Sequence, residues 1–194
     1  MFMAKATGPT YKVSFRRRRT NLTNYRKRLA LLKSGKPRMV VRKTNKQVIV
    51  QFVNFTNDHD ETIASATSNE LAQFNWKPST NLPSSYLTAY LCANKAKKKG
   101  VKSAVLDSGL HTPSKGSFLF AAAKGARDAG IDIPIGDIEI DEERISGRHI
   151  SEYASSLSGS EEYNKRFSNY IKKGIKPEEI QNLFKQVKEK ISKL

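Results

Sequence analysis

The sequence predicts an α/β protein: a mixed β-sheet packed with helices, preceded by an extended basic N-terminal arm and followed by a helical C-terminal extension. Three observations carry this expectation. Two Val- and Ile-rich stretches, Arg38–Lys43 and residues 47–54, flank Thr44-Asn45-Lys46 in the manner of a β-hairpin. Helix, short apolar strand and helix then follow one another across residues 83–129, the order of an α/β layer arrangement. Finally, the chain opens on 57 residues with 15 Lys or Arg and no acid, and closes on amphipathic segments. The implied division is a basic arm over 1–37, an α/β core over 38–135 and a helical extension over 136–194.

The elements can be justified in chain order. Residues 21–33 predict a short helix, because Leu22, Tyr25, Leu29 and Leu32 recur at three- and four-residue spacing with Arg26, Lys27 and Lys33 opposite; Gly35 and Pro37 end it. In the second strand Val48, Val50 and Phe52 alternate with Ile49, Gln51 and Val53, so both faces are largely apolar and the strand is expected to be central. In the first, Arg38, Arg42 and Lys43 are expected to form a cationic rim at a sheet edge, and residues 62–68 add a candidate third strand. Pro83 opens a helix where its missing donor costs nothing, Tyr86, Leu87, Tyr90 and Leu91 form its stripe, and Gly100 ends it after three lysines that suit a helix C-terminus or an RNA contact equally. Residues 101–106 read as a short buried strand. Ser117 is the expected cap of a helix through Ala129, whose alanines permit close packing, with Gly130 as a left-handed stop. Helices are expected over 145–157, 160–173 and 177–194, the last with Ile180, Leu183, Phe184, Val187 and Ile191 on one face, and 155–160 reads as a linker.

Charge constrains function more than fold. Of the formal net charge of +17 across 194 residues, +15 lies in the first 57, the first acid being Asp58. Solvated faces normally mix their signs, so an arm of one sign points to a polyanionic partner rather than to a solvated tail or a localisation signal. Arg16-Arg17-Arg18-Arg19 and Tyr25-Arg26-Lys27-Arg28 are two basic blocks that repel each other until phosphates supply the counter-charge, and each phosphate contact releases condensed counterions. Tyr11, Phe15 and Tyr25 are interleaved with them, and aromatic faces stack on unpaired bases, a mode suited to RNA loops.

The sequence holds little for catalysis. A single cysteine, Cys92, forms no internal disulfide, and with His59, His111 and His149 it makes no zinc-ligand spacing, so a reducing, intracellular setting is expected and no cofactor. No apolar run approaches the ~20 residues that span a bilayer, no signal sequence is expected at the amino terminus, and Met1 and Met3 are alternative starts. Asp107, Ser108 and His111 carry the residue types of a hydrolytic triad, but three members within five residues are poor geometry for one. No phosphate-binding glycine loop is present; Lys115 and Ser117 near a helix start would more simply hold a phosphate. The acidic stretch 128–143 offers one alternative function, a metal-dependent nucleic-acid enzyme using Asp137, Glu139 and Asp141, although a solvated or protein-docking face explains it better. A DNA-compacting protein is a third reading, which the same acids disfavour.

The segments Asp107-Ser-Gly-Leu-His-Thr-Pro-Ser-Lys-Gly116, Phe120-Ala-Ala-Ala-Lys-Gly-Ala-Arg-Asp-Ala-Gly130 and Ile133-Pro134 resemble the archaeal and eukaryotic type of the eighteenth universal large-subunit ribosomal protein family, which binds 5S ribosomal RNA. The resemblance extends to the blocks at 16–19 and 25–29, the strands across 38–52 and Gly147-Arg-His-Ile-Ser-Glu-Tyr-Ala154. It implies a mixed α/β core, a basic extension laid along RNA, fixation of 5S rRNA in the central protuberance, and no catalysis. The implied partners are 5S rRNA, large-subunit (23S-type) rRNA and neighbouring large-subunit proteins, with no membrane, in a cytoplasmic ribosome. Residues 136–194 mark the longer type, since bacterial members end near the equivalent of Ile133, and the archaeal form is preferred because eukaryotic relatives are longer still. The RNA contacts it implies are Arg16, Arg17, Arg18, Arg19, Tyr25, Arg26 and Arg28 in the arm, with Arg42 and Lys43 on the strands and Lys115 in the loop.

Overall fold

In the computed structural model, residues 8–57, 59–136 and 140–194 are described. The arm contains two short helices, α1 (Arg16–Arg19) and α2 (Tyr25–Leu32). Three antiparallel-connected strands follow, β1 (Arg38–Lys43), β2 (Val48–Thr56) and β3 (His59–Thr67), and then a 3-10 segment over Ser68–Phe74. Next come α3 (Leu82–Lys98), β4 (Val105–Asp107) and α4 (Phe118–Asp128). The C-terminal third holds α5 (Glu142–Ser146), α6 (Arg148–Ser156), α7 (Glu161–Arg166), α8 (Ser168–Ile171) and α9 (Ile180–Ser192).

The sheet order is β3-β2-β1-β4, with β4 parallel to β1 and the other pairs antiparallel, a mixed sheet as expected. Alternation along the strands sends Met39, Val41, Val48, Val50, Phe52, Ala64 and Ala66 to one face, where they are buried against α3 and α4. Helices α3 and α4 approach unusually closely: a Cβ at Gly125 would lie 2.4 Å from the Tyr86 carbonyl oxygen, so only glycine fits there. The same core continues to the C-terminal end, since Ile180, Phe184, Val187 and Ile191 are buried in it and Lys188 lies 3.6 Å from Asp128.

Several expectations are corrected. β1 is an interior strand between β2 and β4, not an edge, and Arg38 is only 3% exposed, so the expected cationic rim does not exist in that form. The expected helix over 145–157 is broken at Gly147 (φ 89°), where a Cβ would meet Ile180 Cγ2 at 2.6 Å. The helix expected over 160–173 is likewise two pieces, α7 and α8. The apolar stripe of the first helix does not enter a core: Leu22 and Leu29 are exposed and no residue of α2 is fully buried. Ser117 stands at the N-cap of α4 without a side-chain capping bond, and its hydroxyl is buried with no partner among the described residues. Lys97, Lys98 and Lys99 donate to the carbonyls of Ala129, Leu194 and Ile63, a structural use of the lysine run.

Candidate nucleic-acid interface

The face of the sheet opposite α3 and α4 carries Arg38, Val40, Arg42, Gln51, Val53 and Thr62, and with arm residues they line a groove of about 610 Å³. Its charge arrangement follows from register. Val40 is paired with Asp107 across the parallel β1/β4 ladder, so Asp107 shares a face with Arg38 and Arg42 on either side of Val40. Arg38 donates to Asp107 Oδ2 at 2.9 Å, and Arg42 donates to Asp107 Oδ1 at 3.0 Å and to the carbonyls of Val41 and Asp107 at 2.8 Å. Gly109, at φ 58°, lies beneath the Arg42 guanidinium, where a Cβ would sit 2.8 Å from Cζ, and its amide donates to Asp107 Oδ1 at 2.8 Å.

A β-bulge brings in a second carboxylate. The β2/β3 register shifts after Phe52: Phe52 faces Ala64 but Val53 faces Thr62, leaving Ile63 unmatched. Because side chains alternate with period two, this extra residue moves Thr62 and Asp60 onto the groove face. There Asp60 accepts two bonds from Arg28, at 2.8 and 2.9 Å, and one from Arg38 at 2.6 Å. Burial alone would raise the Asp60 carboxyl; the hydrogen bonds from Arg28 and Arg38 outweigh it and hold the group below the ordinary carboxylate range. The result is one chain of charges, Arg28–Asp60–Arg38–Asp107–Arg42, joining the arm to the sheet.

Within the arm, polar and aromatic contacts fix its own shape. Asn24 caps α2 by accepting from the Lys27 amide at 3.1 Å, Arg17 Nε donates to Thr23 Oγ1 at 2.8 Å, and the Phe15 and Tyr25 rings lie 5.2 Å apart. Arg16, Arg17, Arg18, Arg19 and Arg26 are exposed, and among the described residues none of them forms an ion pair with a carboxylate. The site residues expected from sequence thus separate. Arg28 and Arg42 are engaged within the protein, Lys43 lies 5.5 Å over the Phe118 ring, and Lys115 is exposed in the loop before α4. Sequence reasoning passed over Asp60 and misread Arg38; the only signal was that Asp60 is among the first acids after the acid-free stretch.

Among the described residues the candidate catalytic groups do not assemble. Asp107 is occupied by two arginines, and His111 lies edge-on to Phe118 at 5.1 Å. Asp137 and Glu139 lie outside the described residues, while Asp141 caps α5 by accepting from the Glu143 and Arg144 amides. Elsewhere in the acidic stretch, Glu142 pairs with Lys124, and Asp128 accepts from the Tyr86 hydroxyl. Among the described residues no group of three His, Cys, Asp or Glu side chains is placed to hold a metal ion, and no helix is long and apolar enough to cross a membrane.

Internally neutralised acids beside exposed arginines that pair with no carboxylate among the described residues give a basic surface of the kind suited to a polyanion. A family model described as "Ribosomal large subunit proteins 60S L5, and 50S L18" matches residues 9–103. The large ribosomal subunit protein uL18 of Korarchaeum cryptofilum is 50% identical over 184 residues, covering 94% of each chain. Its counterparts in Ignicoccus hospitalis (50% identical, 96% of this chain and 93% of that one) and Saccharolobus islandicus strain Y.N.15.51 (49% identical, 96% and 97%) match over 190 residues. The chain belongs to the uL18 family of large ribosomal subunit proteins, structural components of the ribosome and not enzymes. That assignment overturns the alternative of a metal-dependent nucleic-acid enzyme.

Proposed function

We propose that this protein binds 5S rRNA and fixes it to the large-subunit rRNA in the central protuberance. The observation that supports this reading is the contrast within one basic surface. Arg28, Arg38 and Arg42 are matched to carboxylates, while Arg16, Arg17, Arg18, Arg19 and Arg26 are exposed and, among the described residues, pair with none. Exposed, unmatched guanidinium groups clustered in the arm are suited to a chain of phosphates, which they grip through charge and paired donors. Tyr25 at the groove wall and the exposed Phe15 ring supply stacking surfaces for unpaired bases. Arg42 and Lys43 lie on the adjoining strand and Lys115 extends the cationic surface from the loop, whereas Arg28 contributes chiefly by fixing the arm. The exposed faces of the C-terminal helices, outside the groove, are left to meet neighbouring large-subunit proteins.

The test is filter binding of the full chain to 5S rRNA and to duplex DNA of equal length across a salt series. Preferential, steeply salt-dependent binding of the RNA is the expected outcome. Equal affinity for both would overturn the assignment in favour of a general nucleic-acid compactor.

A further inference from the structure

We propose that Asp60 is a positioning residue for RNA binding: its carboxylate clamps α2 to the sheet and so holds the arm's arginine cluster in a preformed position. The inference rests on the reading above that the arm contacts RNA. Three observations carry it. The bulge at Ile63 is what turns Asp60 toward the arm, so the carboxylate's position is built into the sheet register. Asp60 engages both terminal nitrogens of Arg28 while holding Arg38, which is nearly buried and fixed in turn by Asp107, so the clamp stands on an immobile base. Beyond the Arg28 guanidinium lying 5.8 Å over the Phe55 ring, the arm has little apolar burial to hold it, since neither α1 nor α2 contains a buried residue.

The sign of the effect separates this role from simple electrostatics. A carboxylate beside an RNA surface repels phosphate, so on charge alone Asp60→Asn would tighten binding. If Asp60 instead preorganises the arm, its loss lowers the fraction of protein whose arm is docked, and the apparent affinity falls by the same factor.

The experiment uses the full chain and two variants, Asp60→Asn and Arg28→Lys. The second keeps the arm's charge but removes the two-pronged donor geometry, and it leaves Arg38 with both carboxylates. Dissociation constants for 5S rRNA at one salt concentration are compared with amide hydrogen exchange over residues 25–32 in the free protein. Both variants should exchange these amides faster, on the order of tenfold, and bind RNA more weakly by a similar factor, with protection in β2 and α3 retained. Should Asp60→Asn lose protection in β2 and α3, Arg28→Lys decides. Unchanged or tighter RNA binding by a variant whose core stays protected would overturn the proposal. Failure of the unaltered chain to bind 5S rRNA would instead overturn the functional reading on which it stands.

Discussion

Arg38 and Asp107 meet across the parallel β1/β4 ladder, Nη1 to Oδ2 at 2.9 Å, with side chains 4% and 8% exposed. The pair stands where β1, β4, the arm and the loop after Asp107 converge, and each member has a second partner, Asp60 for Arg38 and Arg42 for Asp107. A buried ion pair adds little net stability when intact, because desolvation offsets attraction, but without Asp107 Arg38 would share Asp60 with Arg28 and Arg42 would lose its carboxylate, leaving surplus positive charge at this junction.

Asp107→Ala is therefore expected to destabilise the protein by about 3–5 kcal/mol in denaturant unfolding. The double variant Arg38→Met, Asp107→Leu should recover much of that loss, because it removes both charges together. A single variant as stable as the parent would show that the two charges are solvated in solution.

Gly125→Ala probes the closest approach of the two central helices. Alanine favours a helix by about 1 kcal/mol over glycine, but the new methyl group would enter the space of the Tyr86 carbonyl at 2.4 Å. Overpacking of this kind costs about 1–3 kcal/mol, so thermal unfolding should show net destabilisation. A stabilised variant would mean that α3 and α4 separate freely.

Cys92 is fully buried on α3, and burial pushes its thiol up to about 12. At pH 8 the nucleophilic thiolate is scarce as well as shielded. Alkylation should proceed only as fast as the protein opens, and should become rapid in denaturant. Immediate labelling of the native protein would contradict the packing described for α3 against β2.

Acidification should release the arm at a definable point. The Asp60 carboxyl is held below its unfolded value, so the contribution of its ion pairs is present at and above the ordinary carboxylate range and is lost as pH falls through the lowered value. Amide exchange over residues 25–32, corrected for intrinsic rates, should be level from pH 7 to 5 and rise only below about 4. A rise between pH 7 and 5 would assign the clamp to another group.

How much of this was legible in the sequence depends on whether the feature is local. Val48, Val50 and Phe52 carry the period of a strand, Pro83 and Gly130 (φ 96°) mark helix ends by their own backbone chemistry, and all fall where they were expected. The interior place of β1 was not legible, because it depends on the parallel pairing with β4, 67 residues later in the register Val40 to Asp107. Nor was the partnership of Asp60 with Arg28 and Arg38, which requires a one-residue register shift at Ile63 that no periodicity announces. The exposed arginines of the arm were legible because charge needs no fold to be counted. Which arginines are already neutralised by the protein was not.

The most direct measurement is the salt dependence of 5S rRNA binding by the variant in which Arg16, Arg17, Arg18 and Arg19 are all replaced by Gln. Each phosphate neutralised contributes about 0.7–0.9 to the slope of log affinity against log salt. If these four arginines lie on phosphates, the slope should become shallower by roughly 3 and affinity at low salt should fall steeply, with the fold intact. A variant that keeps the parental slope and affinity would show that these four arginines do not face RNA.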